Sequence, residues 1–242
     1  MSSQSDLSAL HTRLHSEGFA FLGAETMDGL LDDPQSLDDW DAFTESWNDL
    51  APDAYLAAKG RKRRRRHATF EITADGAITR NPQQPHVQTL QNNKLQGGIE
   101  RWFVPIRPKI ADGASFRRIL QFSHTLFGSL APRIPQWHVE AHQFRIEASI
   151  GEAGEPTPEG VHRDGVDYVL VLLIDRTNIE SGVTTIHACN GELLGSFTLT
   201  HPLDAALVDD AKVSHGVTAV TPFDPEKSAH RDVLVVTFKA AA

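Results

Sequence analysis

The sequence after Trp137 alternates short apolar runs with turn signals, and this pattern constrains the fold more than any other feature of the chain. The runs include an alternating segment over 137–149 and apolar segments over 168–174 and 231–238. Asn190-Gly191 is a strong signal for a hairpin turn. About eight strands are predicted there, joined by turns rather than by helices. Such a series closes into a jelly roll of two antiparallel sheets.

Helical patterns are confined to the N-terminal half. Apolar residues at helical spacing predict helices over 7–14, after Pro34, and from about Ser115 to Leu130. We expect these helices to buttress the outer face of the sheets. Because no linker or internal repeat divides the 242 residues, we predict one mainly β (α+β) domain over 1–242. Within it, residues 1–136 would form the helical and strand support and residues 137–242 a cupin-like core.

The composition excludes several classes of protein. Cys189 is the only cysteine, which excludes an internal disulfide framework and suits a reducing compartment. The longest apolar run is about as long as a strand, and the first residues lack the basic-then-apolar pattern of a secretion signal. We therefore expect a cytoplasmic protein without membrane contact. The net charge of −9 argues against broad binding of nucleic acid.

A basic run from Arg61 to Arg66 follows an acidic segment. Alone, such a run is typical of a nucleic-acid patch or a localisation signal. It continues, however, into the strand pattern of 67–73, and the upstream carboxylates supply an intramolecular counter-charge. The favoured interpretation is therefore a solvated or salt-bridged strand. The alternative that one arginine reaches an anionic substrate stays open.

His162 and Asp164 form a candidate metal site just before the apolar strand 168–174. In an extended segment, side chains two residues apart point to the same face, so both would bind one ion. His215, in a later strand, would complete a set of two histidines and one carboxylate. That set leaves open coordination positions, as an iron(II) oxygenase requires. Taken singly, each residue also fits a polar role in a turn or a strand.

Four segments carry a resemblance to a known family. They surround the metal-site residues, the last strand and an earlier loop: Val161–Tyr168, Val213–Thr218, Arg231–Phe238 and Gly97–Phe103. With these motifs in this arrangement, the chain resembles the iron(II)/2-oxoglutarate-dependent dioxygenases, which fold as a double-stranded β-helix. The motifs are most similar to those of bacterial L-isoleucine hydroxylases, a branch that acts on free L-amino acids. The resemblance extends from about Gly18 to Phe238.

The resemblance implies a role for each matched residue. His162, Asp164 and His215 would bind Fe(II). Arg231 would pair with the distal carboxylate of 2-oxoglutarate, because a guanidinium fork matches a carboxylate. The implied reaction is hydroxylation of an unactivated C–H bond by dioxygen, with release of succinate and carbon dioxide. Without the family, Arg231 fits equally well as a surface arginine at the start of a strand, balanced by Asp232 or Glu226.

Arg145 and Tyr168 are the candidate residues for substrate contact. Alternation places Arg145 and Glu147 on one face of the long strand and His142 on the other. If the first face lines the interior, Arg145 would meet a substrate carboxylate; a structural salt bridge with Glu147 is the alternative. Tyr168 either lies near the metal or packs in the core. The expected substrate is a free aliphatic L-amino acid, and a homodimer is left open.

Two other functions fit the same pattern. The first is a non-catalytic, cupin-like protein that binds a metal or a small anion and does not consume 2-oxoglutarate. The second is a dioxygenase that acts on nucleic acid, which the run over 61–66 would suggest. The low overall charge and the acidic neighbouring segment weigh against the second function.

Overall fold

The computed structural model describes residues 2–32, 37–58 and 61–241, and within them the helices lie before residue 131, with several strands among them, while the later residues form strands and turns. The helices are α1 (Ser2–Glu17), α2 (Ala24–Leu31), α3 (Trp40–Glu45), α4 (Ala54–Ala57), α5 (Pro108–Ala111) and α6 (Ala114–Leu130). The strands are β1 (Phe19–Leu22), β2 (Ala51–Pro52), β3 (Arg63–Thr73), β4 (Ile78–Arg80), β5 (Gln136–Ala148), β6 (Tyr168–Thr177), β7 (Ile179–Ser181), β8 (Val183–Ala188), β9 (Leu193–Thr198), β10 (Ala205–Asp209), β11 (Val213–Val217), β12 (Val220–Pro222) and β13 (Ala229–Ala240). Pro34, the expected start of the second helix, lies outside the described residues, and α3 begins at Trp40. No described helix is long and apolar enough to cross a membrane.

Antiparallel pairing arranges the strands in two layers. The large layer is one eight-stranded sheet in the order β1-β10-β6-β13-β5-β3-β2, with β4 beside β3. The small layer consists of the sheets β11-β8-β9 and β12-β7. Ile186 and Val213 of the small layer pack against Val169 and Val208 of the large layer. This arrangement confirms the predicted jelly roll.

Strand alternation gives the large sheet two faces, and the helices cover the outer one. In β6, Leu170 and Leu172 point toward the helices, whereas Val169 and Val171 point toward the small layer. Phe127 of the amphipathic helix α6 belongs to the same core as Leu170. The predicted buttress of helices is therefore confirmed.

The N-terminal half contributes strands to the sheet as well as helices. β3 pairs with β5 along its whole length, from Arg63 opposite Ile146 to Thr73 opposite Gln136. β1 pairs with β10 at the opposite edge of the same sheet. The long β3 strand therefore places the basic run beside the inner strands of the jelly roll.

Phe127 joins α6 to the large sheet, and its truncation tests this packing. Its ring stacks on Tyr168 with 4.9 Å between centroids. We expect Phe127→Ala to lower the free energy of unfolding by about 3–5 kcal/mol, because the truncation leaves a cavity in the core. Urea denaturation measures the change. Phe223→Ala is the control. Because Phe223 is 74% exposed, this substitution should change the free energy of unfolding by less than about 0.5 kcal/mol. Equal effects of the two substitutions would contradict the packing described.

Candidate functional site

The three predicted metal-site residues come together beside the cavity between the layers. His162 and His215 form an isolated antiparallel pair, in which each backbone N–H donates to the other carbonyl at 2.9 Å. Asp164 Oδ1 lies 3.6 Å from His162 Nε2, and Asp164 Oδ2 lies 3.6 Å from His215 Nε2. The three donor atoms lie within 4.8 Å of one another, a spacing that suits one bound ion.

A buried carboxylate holds the backbone around Asp164. Asp210 accepts hydrogen bonds from three successive N–H groups, those of residues 164–166, at 2.9, 2.7 and 3.2 Å. Gly165 has a φ of 80°, which glycine adopts at little cost. Burial raises the pKa of Asp210 to about 6, and the charge of Asp164 adds to the rise. Nothing in the sequence pattern distinguishes Asp210 from an ordinary turn residue.

The protonation states of the three residues fit a metal ion. Burial alone would lower the pKa of His162, but Asp164 and Glu159 raise it to about 9. Burial would raise the pKa of Asp164, but the two histidines lower it to about 2. Burial lowers the pKa of His215 to about 4. Without a metal, His162 is therefore protonated at neutral pH and supplies a positive charge beside Asp164. A bound metal ion would replace this proton and supply the positive charge itself.

The orientation of His162 and the chemistry of the donors also fit a metal. Nδ1 of His162 donates to the carbonyl of Gly160 at 3.0 Å, so Nε2 is the nitrogen that faces Asp164. Two imidazole nitrogens and a carboxylate, without a thiolate, suit iron better than a structural zinc. The residues present are thus able to hold a ferrous ion.

The cavity beside this set has a volume of about 350 Å³, at the lower end of the range for small-molecule sites. Its apolar wall comes from the inner face of the large sheet: Phe144, Ile146, Val171, Val233 and Val235. A wall of this kind keeps water away from a bound ligand and strengthens the charge interactions inside.

Arg231 presents a positive charge to the cavity without a carboxylate partner. The residue is 2% exposed, and its Nε and Nη2 atoms have no hydrogen-bond partner among the described residues. The carboxylate of Asp232 points to the opposite face and accepts from Arg145 at 2.8 and 2.6 Å. Burial, and to a lesser extent Arg176, lowers the pKa of Arg231 to about 10, so the guanidinium stays protonated at neutral pH. An anion in the cavity would satisfy it.

Neither candidate substrate residue lines the cavity. Arg145 lies on the outer face of β5, where it pairs with Asp232 and donates to Asn48 at 3.0 Å. Tyr168 lies on the outer face of β6, where it stacks on Phe127. The structure therefore does not support substrate contact by either residue. Of the alternatives left open, Arg145 is in a salt bridge, although with Asp232 and not with Glu147, and Tyr168 packs in the core.

The basic run forms the start of β3, and its arginines are in ion pairs. Members that face outward pair with carboxylates nearer the surface, namely Arg64 with Glu147 and Arg66 with Asp49. Arg63 and Arg65 face the cavity and share the buried carboxylate of Asp53, at 3.0 and 3.6 Å. The favoured interpretation of a salt-bridged strand is therefore confirmed.

Four histidines surround the carboxylate of Glu140 on the cavity wall, three of them at Oε2 and His138 at 3.7 Å from Oε1. Glu140 Oε2 lies 3.1 Å from His67 Nε2, 2.5 Å from His86 Nδ1 and 3.5 Å from His142 Nε2. The spacing alone would suit a metal. Arg65, however, donates to Nδ1 of His142 at 2.7 Å, so the proton of the neutral ring is on Nε2 and faces Glu140. The cluster is therefore a hydrogen-bond network around a carboxylate.

Gln88, Arg101 and Glu159 line the cavity and were not among the predicted site residues. Arg101 belongs to the segment over 97–103 that carries the family resemblance, and Glu159 precedes His162 by three residues. Both facts are signals from which these residues could have been found. Gln88 lies in a polar loop without any pattern, so the sequence offers no signal for it.

Comparison with known proteins identifies the family. A family model described as 2OG-Fe dioxygenase matches residues 44–237, so the chain belongs to the 2OG-Fe dioxygenase family. The crystal structure of a bsmA homolog from Methylobium petroleophilum PM1 superposes with a TM-score of 0.88 at 37% sequence identity, over 97% of this chain and 93% of that chain. The jelly roll and the family resemblance are both confirmed.

Two sequence relatives are informative. The 3(1)-hydroxy-L-isoleucine 4-dioxygenase of Pantoea ananatis is 24% identical over 238 residues, which cover 94% of each chain. The bifunctional enzyme flvA of Aspergillus flavus is 27% identical over 184 residues, or 66% of this chain, but the match spans only 22% of that enzyme. Family membership makes the chain an oxidoreductase that uses Fe(II), 2-oxoglutarate and dioxygen and acts on a small molecule. The predicted enzyme class and cofactors are therefore confirmed.

Asp53 compensates the guanidinium groups of the buried Arg65 and the largely buried Arg63, and its neutralisation tests that role. We expect Asp53→Asn to lower the free energy of unfolding by about 3–5 kcal/mol. Burial alone would raise the pKa of Asp53, but the charges of Arg63 and Arg65 lower it. With a folded-state pKa below the unfolded value, the stabilisation is present above the unfolded pKa and is lost as pH falls through the folded pKa.

Urea denaturation of the wild type and Asp53→Asn, at neutral and at strongly acidic pH, measures this difference. Asp112→Asn is the control, because Asp112 pairs with Arg117 at the surface. A destabilisation by Asp53→Asn that stays constant into strong acid would contradict the assigned role.

Proposed function

We propose that the chain hydroxylates a free aliphatic L-amino acid, that His162, Asp164 and His215 bind Fe(II), and that Arg231 binds the distal carboxylate of 2-oxoglutarate. Bound iron and 2-oxoglutarate supply the oxidising chemistry, in which dioxygen converts the 2-oxo acid to succinate and carbon dioxide and a substrate C–H to C–OH. One observation carries the proposal. A convergent set of two histidines and one carboxylate shares a cavity with a buried arginine that lacks a carboxylate partner.

The three metal-site residues would hold the ion from one side. Their donor atoms converge from a loop and from β11, which leaves the side toward the cavity open for the 2-oxo acid and dioxygen. The Asp210 carboxylate fixes the backbone that carries Asp164, and the Gly160 carbonyl orients the ring of His162. Such supporting contacts keep the ligands in place before the metal binds.

Arg231 would orient the 2-oxo acid. Its guanidinium is buried, stays protonated and has free donor groups, so a carboxylate that reaches it replaces no existing ion pair. Val233 and Val235 follow it on the inner face of β13 and exclude water from the same space. The co-substrate would therefore bind by charge at one end and lie along an apolar wall.

The amino-acid substrate is supported by the shape of the site and by one relative. A cavity of about 350 Å³ that also holds 2-oxoglutarate leaves room for a small molecule only, and its aliphatic wall suits an aliphatic side chain. The Pantoea ananatis relative is named for a dioxygenase reaction on a hydroxy-isoleucine. The cytoplasmic location and the possibility of a homodimer stay predictions from the sequence.

The two alternative functions have less support. Membership of a dioxygenase family favours an enzyme over a non-catalytic binding protein. The arginines expected to contact nucleic acid are already in ion pairs, Arg64 with Glu147 and Arg66 with Asp49. No contact in the described part of the chain favours a nucleic-acid substrate.

Substitution of the metal-site residues tests the proposed iron ligands. We expect His162→Ala and Asp164→Ala each to weaken Fe(II) binding by at least about tenfold and to reduce substrate-coupled succinate formation to background, because one donor is lost. Metal titration and succinate assays with iron, ascorbate and aliphatic L-amino acids measure both. His201→Ala is the control, since the His201 side chain is 78% exposed. Full coupled turnover in either alanine variant at the metal site would refute the assignment.

Substitution of Arg231 tests the proposed co-substrate contact. We expect Arg231→Gln to raise the KM for 2-oxoglutarate by about 30-fold or more, because a buried charge pair is lost. A 2-oxo monoacid without the distal carboxylate should be used equally poorly by the wild type and by Arg231→Gln. Arg117→Gln, at an exposed surface pair, is the matched control. If Arg231→Gln still prefers 2-oxoglutarate over the monoacid as the wild type does, the assignment is wrong.

A further inference from the structure

Arg101 is a second buried arginine in the cavity without a carboxylate partner. It is 1% exposed, and its terminal nitrogens donate to the amide oxygens of Gln96 and Gln88 at 2.8 and 2.7 Å. Its Nε has no hydrogen-bond partner among the described residues. Amide oxygens satisfy the donors but do not cancel the positive charge, so Arg101 can still attract an anion.

The position of Arg101 is tied to the proposed metal site. Gln88, whose Oε1 accepts from Arg101, places its Nε2 3.4 Å from Asp164 Oδ1. A single side chain therefore separates the Arg101 guanidinium from a proposed iron ligand. Arg231 lines the same cavity on β13. Among the buried arginines of the cavity, Arg65 is paired with Asp53, whereas Arg101 and Arg231 have no carboxylate partner among the described residues and are left for two anionic ligand groups.

Glu159 is a carboxylate in this cavity that contacts a proposed iron ligand, and it would lose that contact when a metal binds. Its side chain is 13% exposed, and Oε1 lies 3.3 Å from His162 Nε2, its one ion-pair contact among the described residues. When Nε2 binds a metal it carries no proton, so this contact is lost. Glu159 lies outside the group of donor atoms that converge within 4.8 Å of one another, which separates it from the proposed iron ligands.

Glu140, the other carboxylate on the cavity wall, is already satisfied. Its Oε2 has His67 and His86 within hydrogen-bond distance, and the Nε2 proton of His142 faces it. These contacts do not involve the proposed iron ligands and remain when a metal binds. Glu159 is therefore the better receptor for a cationic group.

We propose that Arg101 and Glu159 together recognise the backbone of the amino-acid substrate, Arg101 through the α-carboxylate and Glu159 through the α-ammonium group. This inference rests on the proposed function. Both residues line the cavity and are linked to the metal-site residues, Glu159 through His162 and Arg101 through Gln88, and the same cavity has an apolar wall for an aliphatic side chain. Charged hydrogen bonds in a buried site are strong and directional, which gives the substrate a fixed orientation.

The first experiment uses wild-type enzyme loaded with Fe(II) and 2-oxoglutarate under anaerobic conditions. Isothermal titration calorimetry measures the affinity for L-isoleucine, L-leucine and L-valine, and for the 2-hydroxy acid and the amide of the tightest binder. We expect each analogue to bind about 30-fold more weakly or worse, because each lacks one of the two charges. If the hydroxy acid or the amide binds as tightly as the amino acid, the proposal is overturned without any variant.

The second experiment assigns each charge to its residue. Glu159→Gln should bind the amino acid no more tightly than the hydroxy acid, because the partner of the ammonium group is lost. Arg101→Gln should bind the amino acid no more tightly than the amide, because the partner of the carboxylate is lost. Glu152→Gln and Arg107→Gln are the matched controls, because both residues form ion pairs with exposed side chains. Unchanged preferences in folded Glu159→Gln or Arg101→Gln would overturn the proposal. If either variant fails to fold, the analogue series on the wild type decides.

Two further outcomes separate this inference from its alternatives. If Glu159→Gln weakens metal binding and leaves amino-acid affinity unchanged, Glu159 is a metal ligand and the proposal fails. If Glu140→Gln, rather than Glu159→Gln, removes the preference over the hydroxy acid, the ammonium site is at Glu140 and the proposal also fails. If no amino acid binds to the wild type or stimulates succinate formation, the proposed function itself fails.

Discussion

Strand alternation separates Arg231 from its neighbour Asp232, and the chemistry of the cavity depends on that separation. Asp232 points to the helical side of the large sheet, where it binds Arg145. Arg231 points to the cavity, where no described residue satisfies its Nε and Nη2 atoms. A buried charge without a partner is costly, and a ligand that supplies the missing carboxylate offsets that cost. The free donor groups are therefore a consequence of the pleat of β13.

The same alternation explains which parts of the fold were predictable. A period of two along β5 correctly predicts that Arg145 and Glu147 share one face and that His142 lies on the other. It does not say which face is interior, because both faces of this strand carry polar and apolar side chains. Packing of the N-terminal helical elements decides this, and Phe127 of α6 covers the outer face at Tyr168. Such packing joins segments far apart in the sequence.

Local spacing was sufficient to find His162 and Asp164, but not the contacts that hold them. The two residues lie in a loop before β6 and not in a continuous strand. Their convergence depends on the pairing of His162 with His215 and on the carboxylate of Asp210. These hydrogen bonds form only when the two layers of the jelly roll pack together, and no short sequence motif predicts them. The search for a second histidine in a later strand supplied His215, and the family resemblance agreed with it, whereas nothing in the sequence supplied Asp210.

In the proposed arrangement, Glu159 beside Arg101 would let the cavity distinguish 2-oxoglutarate from the amino-acid substrate. 2-Oxoglutarate is doubly negative, whereas an amino acid carries one charge of each sign. Asp232, the sequence neighbour of Arg231, is turned away from the cavity, so Arg231 suits the doubly negative molecule. Glu159 lines the cavity together with Arg101, so a second 2-oxoglutarate bound at Arg101 would meet a like charge. In the proposed substrate site, an ammonium group would form an ion pair where 2-oxoglutarate would be repelled, and this difference would keep the co-substrate out of that site.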